Sequence, residues 1–298
     1  MLAIKWVYAA LLVLPAMAAA TSAQIPVTQA IIEAVQMPAW LERGGRVQPL
    51  AVGTDIRNGD RIRTGSSARI YLDVAEGSTV KLGENAAMVF YSRSLKPVSK
   101  FKGALDVLNG AFRFTTHAGA PGQRDIAIRV GVANAGIRGA DLWGKSDRGR
   151  DLILLLEGRI EVRHAATTFE MAEPLTYFAV PRNSPPQSLT RIDPESFKRW
   201  ALETELLPGD GAARRGGKWN VLLARADDQR VALEVYDKAR NAGYAAQVRV
   251  RPGAAGHPEI SGDWNYEVVL THLPSEQAAA ALAARVKSQL GVDAIPVR

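Results

Sequence analysis

The chain has 298 residues, a net charge of +7 and no cysteine. The missing cysteines exclude disulfides, thiolate metal sites and a lipid-bearing cysteine, while the length allows ordinary hydrophobic cores without such staples. The positive charge is spread along the chain, which excludes a nucleic-acid patch and leaves a mild preference for anionic surfaces.

At the amino terminus Lys5 precedes an almost wholly apolar run over residues 6–14, then Pro15 and the small residues AMAAATSAQ. This is the pattern of a secretory signal peptide over residues 1–23, with cleavage after Ala20 or, preferably, after Ala23, leaving Gln24 first. A membrane-spanning helix needs roughly 20 apolar residues, and Pro15 interrupts this run. No other segment is long and apolar enough, so the protein is expected in the periplasm with no transmembrane segment after signal cleavage.

Residues 24–189 read as an all-β domain of sandwich or roll type. RIRTGSSARIYLDVAEGSTVKLGENAAMVFY alternates apolar and polar residues between glycine-containing turns. Ile70, Leu72 and Val74 share one strand face, and Val80 and Leu82 share the next. DIAIRVGVANAGIRG and DLILLLEGRIEVRH continue the theme.

The stretch from Gly53 through Gly59-Asp60-Arg61-Ile62-Arg63-Thr64-Gly65, a strand, the turn Glu76-Gly77-Ser78 and a second strand resembles the FecR domain family. Downstream, NAGIRGADLWG followed by DLILLLEGRIEV is similar to that family's R-G-T strand and Glu-Gly hairpin, with Ala140 in place of the threonine. The resemblance implies a periplasmic all-β module used in signalling or binding. The best-known members are membrane-spanning sigma-factor regulators with a cytoplasmic amino-terminal segment. A signal peptide at that end leaves no room for one, so the regulator role is not carried over. Read as residues, Gly59, Gly65 and Gly77 supply turn conformations, and Asp60 and Ser78 bond turn amides. That reading is structural.

Residues 190–207, with DPESFKRWALETELL, read as a helix capped by Asp193, with Pro194 at its first position and Glu195 in its first turn. Phe197, Trp200, Ala201 and Leu207 would pack it onto the β-domain. Residues 208–217, PGDGAARRGG, have no apolar periodicity and read as a flexible linker.

Residues 218–298 contain a repeat. WNVLLARADDQRVALEVYDKARNAGYAAQVRV and YEVVLTHLPSEQAAAALAARVKSQLGVDAIPV each read as strand, helix, strand, with Gly243 matching Gly291. Val231, Val235 and Ala239 fall on one face of the first helix, and Ala279, Leu282, Ala283, Val286 and Leu290 on one face of the second. Two such units predict a small α+β ferredoxin-like βαββαβ domain, an antiparallel sheet with both helices on one face. Trp219 to Ala226 and Tyr266 to Leu273 resemble the two strand motifs of the SPOR domain, a peptidoglycan-binding family. The polar positions differ: Leu222 stands for a glutamine, and Glu267 and Val269 for two arginines. The resemblance implies binding to denuded glycan strands. Strict alternation places Asn220, Leu222, Ala224, Glu267 and Val269 on the face away from the helices. Trp264, Tyr266, Arg249 and Arg251 add aromatic surface and charge, and Asn220, Leu222, Ala224, Arg249, Trp264, Tyr266, Glu267 and Val269 form the candidate glycan-binding set.

Other motifs carry no chemistry. GADLWGKS, at residues 139–146, satisfies the phosphate-loop pattern, but a turn and a strand follow where a helix is needed. Lys145 and Arg148 then read as solvated turn charges. His117, His164, His257 and His272 have no metal-ligand spacing. No nucleophile elbow or acid–base pair is present, so no enzyme activity, cofactor or metal is expected. The expected function is a non-catalytic periplasmic envelope protein. Its C-terminal domain would bind peptidoglycan glycan strands, and its β-domain a second envelope component. The alternative is a periplasmic signalling or regulatory protein in which both domains are protein–protein interaction modules.

Overall fold

The structure, a computed structural model, describes residues 29–95, 100–117, 123–252 and 264–298, so the expected signal peptide and His257 lie outside the described residues. Among the described residues no helix is long and apolar enough to cross a membrane. The described residues are mostly β-strand. They begin with β1 (Ala30–Gln36), β2 (Ala39–Arg43), β3 (Arg46–Pro49), β4 (Asp55–Ile56), β5 (Asp60–Thr64), β6 (Arg69–Val74), β7 (Ser78–Leu82) and β8 (Ala87–Leu95). Then come the long β9 (Lys100–Thr116), β10 (Gln123–Val130), β11 (Ala133–Ser146) and β12 (Arg150–His164), followed by β13 (Thr167–Met171), β14 (Thr176–Pro181) and β15 (Thr190–Arg191). Helix α1 (Pro194–Leu202) and the short β16 (Ala213–Arg214) lead to β17 (Trp219–Ala226), α2 (Gln229–Asn241), β18 (Gln247–Pro252), β19 (Trp264–Leu273), α3 (Glu276–Leu290) and β20 (Ile295–Val297).

The first sixteen strands form one sheet whose main path runs β15-β14-β12-β11-β10-β9-β7-β6-β1-β16. Its alternation is that of the sequence: Ile70, Leu72, Val74, Val80 and Leu82 point inward and are buried. They meet Ile32, Leu41, Phe90, Phe112, Phe114, Leu142 and Ile153 in the core, each contributing about 1.5–3 kcal/mol by leaving water. β9 changes partners along its length. Residues 100–107 run parallel to β10, and residues 110–115 run antiparallel to β11. Gly110 marks the change at φ +88°, where a Cβ would lie 2.5 Å from Ala86 Cα.

The remaining strands form a four-stranded antiparallel sheet in the order β18-β19-β17-β20. Ala232 and Ala239 of α2, and Ala278, Ala279, Leu282, Ala283 and Val286 of α3, pack with Val221, Leu223, Val268 and Leu270. Asp228 caps α2 by accepting from Arg230 N, Ser275 caps α3 by accepting from Ala278 N, and Gly291 closes α3 at φ +63°. Val231, placed by periodicity on the buried face of α2, is 43% exposed, and Ala232 takes its place.

Residues 208–217 depart from the flexible linker that their composition suggests. Ala213 and Arg214 pair with Val35 and Ala34 of β1. The Asp210 carbonyl accepts from Gln36 Nε2 and from Arg285 Nη2, each at 2.9 Å. The glycines here allow close approach: a Cβ at Gly211 would lie 2.9 Å from Leu282 N. Composition rich in glycine thus reflects tight packing. The two units also meet directly. Ala39 N donates to Gly243 O at 3.0 Å, Arg285 Nη1 donates to Met37 O at 3.2 Å, and Tyr244 is fully buried. Buried residues of both units belong to one continuous core. A Cβ on Gly243 (φ +87°) would lie 2.6 Å from the Trp40 ring. The Arg214–Arg215 bond should therefore resist limited trypsin digestion in the native protein. Arg285→Ala should open this bond to rapid cleavage and yield two fragments, read by gel and mass spectrometry.

Candidate functional site

The small sheet has a face turned away from its helices, and its composition follows from two bulges. Between Trp219/Leu273 and Val221/Leu270 the extra residue is in β19, where His272 takes φ +68°. Between Leu222/Val269 and Ala224/Val268 the extra residue is Leu223 in β17. A one-residue insertion flips every later side chain to the other face. Ala224 is thereby moved off the open face: it pairs with Val268 and packs against the core with Ala226. Arg225 takes the open position beside Glu267 instead. Tyr266 also packs against the core, and Trp264, two residues before it on β19, falls on that same helix side.

Of the candidate set, then, Asn220, Leu222, Arg249, Glu267 and Val269 share the open face, while Ala224, Trp264 and Tyr266 do not. Leu222 and Val269 pair directly and are 9% and 1% exposed. Arg249 Nη2 donates to Asn220 Oδ1 at 3.2 Å, a bond that crosses β19, so the arginine lies over this apolar pair. Glu267 accepts from Arg225 Nη2 at 2.7 Å and lies 3.6 Å from Arg251 Nε. The face presents three arginines to one carboxylate. Strand alternation alone could not have placed Arg225 there, because no residue type marks the bulge at Leu223.

The motif residues of the β-domain serve the fold. Asp60, 2% exposed, accepts from Arg43 Nε at 2.8 Å, Arg43 Nη2 at 2.6 Å and Arg57 N at 2.7 Å. The same contact holds the Arg43 guanidinium above its ordinary pKa, through the Asp60 hydrogen bond first. Thr64 Oγ1 donates to Gly83 O at 2.7 Å and accepts from Ala86 N at 2.8 Å. Gly59 and Gly77 take φ +85° and +92°, and a Cβ at Gly65 would lie 2.8 Å from Pro38 Cγ. Ala140, at the altered R-G-T position, receives the Thr116 hydroxyl at its carbonyl, at 3.0 Å. Residues 139–146 lie inside β11 with no helix after them, and Lys145 departs from a solvated turn charge by pairing with Glu203 at 2.8 Å. Among the described residues no histidine, aspartate and glutamate group could hold a metal ion.

A second surface, absent from the sequence reading, lies on the outer side of the large sheet under α1. Asp193 caps α1 by accepting from Ser196 N at 2.9 Å, with Pro194 at the start. The helix ends at Leu202, short of residue 207, because the next residues are drawn onto the sheet. Trp200 stacks on Trp143 with ring centroids 5.3 Å apart, meets the edge of Tyr177 at 5.7 Å, and carries the Arg150 guanidinium on its face at 5.5 Å. Glu205 accepts from Lys81 Nζ at 2.7 Å, Tyr71 Oη at 2.7 Å and Arg113 Nη1 at 3.2 Å. Leu206 N donates to the Tyr71 oxygen. Leu206 is buried there, whereas Leu207, expected to pack, is 54% exposed. A Cβ on Gly83 would lie 2.7 Å from Glu203 O, so glycine is what lets the chain pass. Burial alone would raise the Glu205 carboxyl, but the Lys81 and Tyr71 hydrogen bonds and the Lys81 and Arg113 charges outweigh it and hold the group below its usual range. Burial also pushes the Tyr71 phenol well up, so it stays a donor.

Comparison with known proteins bears on the large sheet. Residues 60–161 match the family model described as FecR protein. No curated protein matches the chain. Two solved structures of a candidate anti-sigma factor from Parabacteroides distasonis are similar to it. The first has 13% identity and a TM-score of 0.39, covering 47% of this chain and 64% of that one. The second has 12% identity and a TM-score of 0.38, covering 60% and 73%. The chain thus spans under two thirds of the length of the first.

Two outcomes follow from the site chemistry. Asp60→Ala should lower stability by about 1–3 kcal/mol, since it leaves the Arg57 turn amide without its acceptor and the partly exposed Arg43 without its mate; a urea midpoint measures it. The depressed carboxyl of Glu205 contributes stability that is complete above its ordinary value of 4.5 and is lost as pH falls through the lower folded value. Glu205→Gln should flatten the fall in urea midpoint between about pH 5 and pH 3.

Proposed function

We propose that this protein is a non-catalytic periplasmic regulatory protein whose FecR domain and C-terminal unit both act as protein–protein interaction modules. The observation that carries the reading is the chemistry of the open face of the small sheet. Its two aromatic candidates turn to the other side, its apolar pair lies under Arg249, and its carboxylate is held between two arginines. A glycan strand would meet no flat aromatic platform there. An acidic protein surface would meet Arg225, Arg249 and Arg251, with charge steering the encounter. The FecR match supports a signalling role for the rest of the chain. The strand order of the C-terminal unit supports a ferredoxin-like arrangement with the hydrophobic frame of a SPOR domain, a frame used here for a different ligand. Export by the signal peptide supplies the compartment.

Photo-crosslinking in cells from positions 225 and 251 tests this reading. Expected are discrete protein adducts that vanish on Arg249→Glu. In parallel, mature protein should stay in the supernatant with purified sacculi, both intact and stripped of stem peptides. Sedimentation with stripped sacculi, lost when the chain ends at residue 207, would restore the glycan reading in place of this one.

A further inference from the structure

The strip of large sheet beneath α1 and residues 203–206 has the composition of a binding site. Its floor is Trp143, Leu154, Tyr177 and Ala179, and Arg69, Lys81, Arg113, Lys145 and Arg150 stand around it. Two acids neighbour these cations: Asp141, held by Arg113 at 2.6 Å, and Asp147, which lies near Lys145 and Arg150. An uncovered strip of this kind would expose aromatic rings among five cations. The chain covers it with its own aromatic and acidic segment: Trp200, Glu203 and Glu205.

The cover fits incompletely. No residue of α1 is fully buried, and Leu202 is 52% exposed. Its ion pairs join side chains that keep 19–35% of their surface in water, the regime in which each pair adds little. Trp143 is 2% exposed, yet its indole N–H has no acceptor under Trp200. A buried donor without a partner costs free energy, and an occupant offering an oxygen there would recover it.

We propose that this strip is a docking site for a partner protein's short helical segment bearing an aromatic residue followed by acidic residues. The segment from Trp200 to Leu206 fills it in cis. Charge complementarity points to that class of occupant. The inference deepens the regulatory reading by naming a surface and its partner chemistry, and it rests on that reading only for its biological use. Displacing the segment also frees the chain just before β16, where it joins the small sheet to β1, so occupancy of the strip is coupled to the hold on the C-terminal unit.

A fluorescein-labelled peptide of residues 190–207 is the probe. The full mature chain carrying Trp200→Ala and Glu205→Gln should bind it at least tenfold more tightly than the unaltered chain, about 1.4 kcal/mol. Adding Lys81→Glu to that variant should abolish the gain, as should Trp200→Ala in the peptide. Equal binding to both chains, or none to a variant whose circular dichroism is native, overturns the proposal. If the variant does not fold, amide hydrogen exchange on the unaltered chain decides. Amides of α1 that exchange at least ~10-fold faster than those of β11 support local release, and α1 protection equal to β11 overturns it. Neither measurement depends on the crosslinking result, so this inference and the regulatory reading can fail separately.

Discussion

Residues 203–217 leave one sheet for another, and backbone polar groups buried on the way must find partners. They find them on both sides. Arg69 donates to the carbonyls of Leu202 and Glu203, Tyr71 receives Leu206 N, and Gln36 and Arg285 both donate to Asp210 O. Because the same fifteen residues are satisfied by the large sheet before and after Asp210 and by α3 at Asp210, the two units share one core. Met37, Tyr244 and Gly243 then close the seam. Glycine is the enabling residue at each close approach: Gly83 under Glu203, Gly211 against Leu282 and Gly243 against Trp40. A side chain at any of them would push the layers apart.

Much of this was legible in the sequence, and the failures have particular causes. Period-two alternation found β6 and β7 with their buried residues, and cap chemistry found the start of α1. Alternation failed past Leu223, since a bulge carries no compositional mark and turned Ala224 inward and Arg225 outward. Composition failed at residues 208–217, because glycine serves both mobile chain and the tightest packing. Nothing in the local pattern joined Glu205 to Lys81, Tyr71 and Arg113, which lie 92–134 residues away in sequence. A contact across that separation is a property of the tertiary fold.

The FecR match ends at residue 161, yet the folded large sheet includes β1 to β4 before the matched stretch and β13 to β16 after it. The turn motif within the match is explained by Asp60, Thr64 and their glycines as architecture. Outside that turn motif lie the arginine-rich face of the small sheet and the covered strip under α1. Both surfaces carry a surplus of arginine and lysine.

Lys81, Arg113 and Lys145 come from three strands, β7, β9 and β11, and they converge on Glu203 and Glu205. A slip of one residue in any of those strands would turn its cation to the opposite face and leave a carboxylate without its mate. The segment after α1 is thus a gauge of strand registration. It is made late in the chain, after all three strands, and it seats only on a sheet whose ladders are already in step.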